Sequence, residues 1–351
     1  MSETVLVTGG EGFIGSQIVD LLVESGREVR VIDNLHPAAH ADRPAYLNPG
    51  AEYIETDLRY ADGLAAVLDG VGAVCHQAAM VGLGKDFGDA EDYVADNCLG
   101  TARLLSAMSR SGFAGPLVLA GSMVVYGEGG YTCPRHGTVR PGARNRSDLE
   151  AGRFEPPCPS CGERLAPESV PESAPTDPRS VYAATKLHQE QLCSLFAREN
   201  EAVSGFALRY HNVYGPRMPR DTPYAGVASI FRSSLEAGRA PAVFEDGRQI
   251  RDFVHVRDVA RANLLAFDAG PERAGVYNVA SGRPRPLIDM ANLLAEAAGP
   301  DAPAPVVTGE FRLGDVRHVF ADATRARDGL GFDAEVDLEA GMHEFAAAEL
   351  R

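Results

Sequence analysis

The chain has 351 residues, 45% of them hydrophobic and 23% charged, the composition of a globular protein with room for one large domain or two modest ones. Its 33 Lys and Arg against 49 Asp and Glu leave a net charge of -16, and no basic stripe offsets that excess, which argues against nucleic-acid binding. No apolar run approaches the ~20 residues that span a bilayer and no cleavage pattern follows the N-terminus, so the expectation is a cytoplasmic protein without membrane contact.

Thr4 to Thr8 is a β-branched run that breaks at glycine, the pattern of a buried strand ending in a tight turn. Ile14, Ile18, Leu21 and Leu22 recur at helical spacing, which predicts a helix from about Phe13. Strand, glycine turn and helix form a phosphate cradle. Gly9, Gly12 and Gly15 let backbone approach a pyrophosphate, and the helix N-terminus offers unpaired N–H groups to the anion. Glu28 to Ile32 is a second strand ending at Asp33, about 20 residues past the glycines. A carboxylate there accepts from the adenosine ribose hydroxyls and repels a 2′-phosphate, so the cofactor is read as NAD.

Glu52 to Thr56 is a third strand, running into Asp57 and Leu58; Asp57 is placed either to bond an adenine amino group or to cap a helix from about Asp62. Ala73 to Gln77 is a fourth strand, passing into Ala78 and Ala79, where small residues let backbone lie against the cofactor. A helix is predicted from about Ala90 to Ser111, carrying Asn97. Pro116 to Ala120 is a fifth strand, running into Gly121-Ser122. Strands alternating with helices predict a doubly wound parallel sheet of the Rossmann type, with ligands at the carboxyl ends of its strands.

Glu128 to Thr176 is rich in Pro, Gly, Arg and Ser and has little periodicity. A loop of that length needs something to hold it. Cys133-Pro-Arg-His136-Gly and Cys158-Pro-Ser-Cys161-Gly are two copies of one hairpin pattern. Three thiolates and an imidazole are a closed, tetrahedral donor set, which points to structural zinc on Cys133, His136, Cys158 and Cys161, with no open position for catalysis. Disulfides and incidental cysteines are the other readings, and disulfides conflict with a reducing compartment. Cys75, Cys98 and Cys193 sit in apolar contexts and read as packing residues.

Ser180 to about Asn200 is a predicted helix with Tyr182 and Lys186 four residues apart on one face. A tyrosine is a poor base at its usual pKa of about 10, and a nearby lysine cation and a positive nicotinamide ring both stabilise the phenolate. Ser122 at a strand end is placed to bond the same substrate hydroxyl.

The glycine turn, Gly121-Ser122 through Gly127, Tyr182 through Lys186, Leu208 through Arg217 and Arg251 through Val256 resemble the extended short-chain dehydrogenase/reductase family in its nucleotide-sugar epimerase/dehydratase branch. The likeness covers nearly the whole chain apart from the cysteine insertion. It implies Ser122, Tyr182 and Lys186 as the catalytic set. It implies Gly9, Gly12, Phe13, Ile14, Gly15, Asp33, Asn34, Asp57, Leu58, Ala78, Ala79 and Asn97 as NAD contacts, together with Tyr182 and Lys186. It implies Asn212, Arg251, Arg312 and Asp315, besides Ser122, as the substrate set, and a homodimer paired through the helices near 90–111 and 180–200. The expected architecture is an α/β NAD-binding domain over 1–131, 172–212 and 253–278. A zinc-knuckle insertion at 132–171 and a smaller nucleotide-sugar domain over 213–252 and 279–351 complete it.

Dehydratases of the branch carry Asp-Glu after the strand-end hydroxyl residue, whereas Met123 and Val124 stand here and do no proton chemistry. The reading is therefore 4-epimerisation: oxidation at C4 to a 4-keto sugar and return of the hydride to the other face. The insertion and the ending Gly309 to His318 resemble those of dTDP-L-rhamnose 4-epimerases, which implies a dTDP-6-deoxy-hexose. A 4-ketosugar reductase on the same residues and a non-catalytic NAD-sensing regulator are the alternatives. The insertion joins the Ser122 strand to the Tyr182 helix and is expected to shape or cover the sugar pocket.

Overall fold

The computed structural model describes residues 4–37, 40, 42–60, 63–82, 86–220 and 226–350. Seven strands build its main sheet: β1 Thr4–Thr8, β2 Val29–Asp33, β3 Ala51–Glu55, β4 Val71–His76, β5 Gly115–Ser122, β6 Val203–Tyr210 and β7 Gly275–Val279. All pair in parallel in the order β7-β6-β5-β4-β1-β2-β3. β1 is central and covered on both faces, so Val5, Leu6 and Val7 are all buried. Strand order reverses between β1 and β4, which opens a crevice at their carboxyl ends.

Helices Phe13–Glu24 and Val256–Asp268 cover one face of the sheet, and Gly100–Ser111 and Val181–Glu199 cover the other. The helix expected over Ala90 to Ser111 is not one regular element. Ala90–Tyr93 and Gly100–Ser111 flank a wide π-turn at Val94–Leu99, a distortion that re-aims the side chains within it. The helix start expected at Asp62 lies outside the described residues.

A separate apolar core gathers helices Val227–Glu236, Leu287–Ala298 and Leu338–Ala347 beyond the strand ends. The segment expected to be a long loop also has structure. Gly137–Val139, Gly130–Cys133 and Ala166–Glu168 form a small antiparallel sheet, with a short helix at Arg146–Glu150. Among the described residues no helix is long and apolar enough to cross a membrane.

Candidate active site

The opening turn is built for close approach. Gly9 has φ +67°, and a Cβ there would lie 2.8 Å from the Cα and N of Ala78. A Cβ on Gly15 would stand 2.1 Å from the Gly9 carbonyl oxygen, so that glycine seats the helix on the turn. No side chain caps the N-terminus of helix Phe13–Glu24, which leaves its first amides to an anion. Phe13, Ile14 and the three glycines all line a cleft of ≈ 650 Å³ at the strand ends.

Asp33 lines the same cleft at the end of β2. Its Oδ2 accepts from the Glu11 amide at 3.1 Å and its Oδ1 from the Leu35 amide at 3.0 Å, which fixes the carboxylate across the turn. Asp57 accepts from Asn34 Nδ2 at 3.2 Å and from the Arg59 guanidinium at 2.6 Å. Burial would raise its pKa, but the hydrogen bonds from Arg59 hold it below the usual range. Asn34, Leu58, Ala78 and Ala79 complete this end of the cleft.

Asn97 does not line the cleft. It is fully buried in the π-turn, where its amide accepts from Met80 N at 2.7 Å and donates to Met80 O at 3.0 Å and Thr185 Oγ1 at 2.9 Å. It ties the loop after β4 to the Tyr182 helix, and its polar atoms are spent on protein.

Ser122, Tyr182 and Lys186 meet in the cleft as expected. Ser122 ends β5, and its Oγ accepts from Val124 N at 3.4 Å. The Ser180 hydroxyl caps helix Val181–Glu199, so Tyr182, which lines the cleft, sits in the first turn. Burial pushes the Tyr182 phenol up to about 12, and the Ser122 hydroxyl draws it back. Burial pushes the Lys186 amine down to about 8. Its Nζ donates to Gln189 Oε1 at 2.8 Å, and Gln189 Nε2 donates to Thr101 Oγ1 at 2.8 Å. His76, itself held between Thr8 and Thr101, closes that buried network. Spacing alone gave no sign of Gln189, because its partners come from β4 and helix Gly100–Ser111.

The far end of the cleft gathers arginines and carboxylates, Glu245 and Asp315 among them. Arg251 and Arg312 line it with Asn212 and Asp315. Arg251 donates to the Val316 carbonyl at 2.7 Å and the Arg317 carbonyl at 2.9 Å. Burial raises the Asp315 pKa, and the charges of Arg251, Arg312 and Arg144 oppose it. Asp252, next to Arg251, accepts from Ser281 N at 2.6 Å and Gly282 N at 2.9 Å and so anchors that strand. The bidentate pair Arg209–Glu190, at 2.6 and 2.9 Å, locks β6 to the Tyr182 helix. Arg209 and Asp252 lie within the segments 208–217 and 251–256, but their partners Glu190, Ser281 and Gly282 come from other elements, which no local pattern signals.

Cys133, His136, Cys158 and Cys161 also converge, away from the cleft. Their donor atoms lie within 4.8 Å of one another. Cys133 Sγ is 3.4 Å from His136 Nδ1 and 3.6 Å from Cys161 Sγ.

Fold and site define a dinucleotide-dependent enzyme with a Ser, Tyr, Lys set and, at the other end of the cleft, Arg251 and Arg312. The model of the NAD dependent epimerase/dehydratase family matches residues 5–147 and 159–280. The chain is 35% identical to the dTDP-L-rhamnose 4-epimerase of Burkholderia thailandensis, over 97% of this chain and 93% of that one. It is 31% identical to the UDP-glucose 4-epimerase of Mycolicibacterium smegmatis, over 96% and 95% respectively. The UDP-glucose 4-epimerase of Thermotoga maritima, solved with UDP-glucose, superposes with a TM-score of 0.79 at 29% identity, covering 98% of this chain and 97% of that one. The enzyme from Thermus thermophilus, solved with NAD, gives 0.76 at 28%, with the same coverage. The chain belongs to the NAD-dependent epimerase/dehydratase family of extended short-chain dehydrogenase/reductases. Its class is that of the NAD-dependent nucleotide-sugar epimerases.

Proposed function

We propose that the protein inverts C4 of a dTDP-6-deoxy-hexose. The observation that carries the reading is the single cleft holding Ser122, Tyr182 and Lys186 between a glycine cradle and the Arg251–Asp315 end. NAD bound at the glycine cradle supplies a hydride acceptor that later returns the hydride. Tyr182 takes the C4 hydroxyl proton as C4 is oxidised, with Ser122 bonding the same oxygen, and gives a proton back to the 4-keto oxygen. Lys186, when charged, stabilises the phenolate. Arg251, Arg312 and Asn212 hold the nucleotide diphosphate while the sugar turns over, guanidinium forks being suited to phosphate oxygens. Met123 and Val124 line the cleft beside Ser122 and offer C5 and C6 no acid or base. That apolar edge also suits a 6-methyl group.

The rhamnose-nucleotide substrate is supported by the Burkholderia relative and by the cysteine insertion. We assign structural zinc to Cys133, His136, Cys158 and Cys161. Zn–S bonds of about 2.3 Å put tetrahedral donor atoms roughly 3.8 Å apart, in line with the 3.4 to 3.6 Å separations here. We also propose a homodimer through helices Gly100–Ser111 and Val181–Glu199 with the π-turn, which expose Val94, Leu99 and Leu195. Incubation with dTDP-L-rhamnose, UDP-glucose and UDP-glucuronic acid, read by NMR, tests the substrate. Inversion at C4 of the dTDP sugar alone is expected, and exclusive turnover of a UDP sugar would refute the choice. Size exclusion at micromolar concentration giving a monomer mass would refute the dimer.

A further inference from the structure

The insertion does not cover the sugar pocket. None of the described residues of 132–171 lines the cleft. It packs instead along the outer side of 315–322. Gly129 N donates to His318 O at 2.9 Å, and a Cβ on Gly129 would lie 2.4 Å from that oxygen. Val170 N donates to Phe320 O at 2.9 Å, and Asp322 N donates to Val170 O at 3.0 Å.

Two side chains of the insertion reach further. Arg144 donates to the Asp315 carbonyl at 2.7 Å and pairs with Glu245 at 2.7 Å, with side chains only 5% and 2% exposed. Glu155 accepts from Arg317 Nη2 at 2.6 Å and lies 3.0 Å from His318 Nε2. Between these two grips stand the Val316 and Arg317 carbonyls that hold Arg251. The metal-ligand core is continuous with the same segment. Tyr131, packed with Cys133 and Cys158, donates to Glu128 at 2.6 Å, and Glu128 accepts from the Arg317 and His318 amides at 2.8 and 2.9 Å.

We infer that the cysteine insertion braces the nucleotide end of the cleft, with Arg144 and Glu155 as positioning residues for Arg251 and Asp315. The inference rests on the reading that this end takes a nucleoside diphosphate. Ser122, Tyr182 and Lys186 lie on β5 and helix Val181–Glu199, outside the braced segment. Loosening the brace therefore weakens diphosphate binding and leaves the proton-transfer set in place.

The test uses the full-length, NAD-loaded protein with Arg144→Gln and Glu155→Gln. Both variants keep their neighbours paired, since Glu245 and Asp246 still meet Arg317. Calorimetry gives Kd for dTDP and UDP, and initial rates give KM and kcat. The expected result is a rise of roughly ten-fold in Kd and KM, with kcat within about two-fold and NAD content unchanged. Unchanged Kd and KM in both variants would overturn the inference. So would loss of NAD and of a cooperative melting transition in both, which marks a purely structural role. A wild-type protein that binds neither dTDP nor UDP refutes the nucleotide reading itself, and that outcome is visible before any variant is compared.

Discussion

Tyr182 and Lys186 carry opposite shifts from one cause. Burial disfavours the charged form of each, so the phenol rises to about 12 and the amine falls to about 8. Tyr182→Phe should cut kcat by a factor of about 100 to 10,000, the range of a lost general base, while NAD content and melting temperature hold. A smaller loss would contradict the role. Lys186 is charged below about pH 8 and neutral above it. Because Tyr182 must be deprotonated and Lys186 charged, kcat/KM should rise with pH up to about 8 and level off above it, where the gain in phenolate and the loss of the cation offset each other; a profile that falls with pH below 8 would contradict it. The meeting of Ser122, Tyr182 and Lys186, the proposed catalytic set, was legible in the sequence, since strand-end placement and an i, i+4 pair are local patterns. Gln189 was not, because its grip on Lys186 depends on Thr101 and His76 from other elements. The placement of Asn97 was not legible either, because a π-turn, which no local residue pattern announced, turns its amide toward Met80 and Thr185.

Between elements, the decisive contacts are charge pairs sealed from water. Arg209 and Glu190 have side chains 5% and 8% exposed, and the Arg209 guanidinium also lies 4.7 Å from the Tyr126 ring centroid. Removing one member strands the other, so Glu190→Ala should cost about 3 kcal/mol in denaturant unfolding. A loss under about 1 kcal/mol would mean the pair is replaceable. The insertion behaves as an element of its own. If the proposed zinc is bound there, chelation should lower the melting temperature and raise the nucleotide KM, with kcat less affected; a chelated protein unchanged in all three would remove both the zinc proposal and the brace. The convergence of Cys133, His136, Cys158 and Cys161 could be read from hairpin spacing. Their docking site could not, because Glu155 meets residues 317 and 318 across more than 160 positions of chain, and no sequence period links them.

Across the molecule, the parallel sheet and its first five strands were legible from alternating strands and helices, whereas β6, β7 and the strand order were not read from the sequence. Nor was the placement of the second core, since helices Val227–Glu236, Leu287–Ala298 and Leu338–Ala347 come from well-separated stretches. Burial also sets the acid limit of the fold. It pushes His76 and His211 down to about 3 and His255 to about 4, against 6.5 for the free side chain. A lowered histidine contributes stability that is full above 6.5 and is lost as pH falls toward the folded values, because the unfolded chain takes up the protons first. Melting temperature should therefore fall between pH 6.5 and 4, and a constant value over that interval would contradict the burial account.

In the proposed reaction one cleft removes a hydride from C4 and returns the same hydride to the opposite face. The most direct measurement is proton NMR of dTDP-L-rhamnose turned over in D2O by the NAD-loaded protein with no added reductant. The expected product is the C4 epimer with its C4 proton retained, and nicotinamide absorbance should show no net change. Deuterium at C4, or conversion that consumes added NADH stoichiometrically, would contradict it.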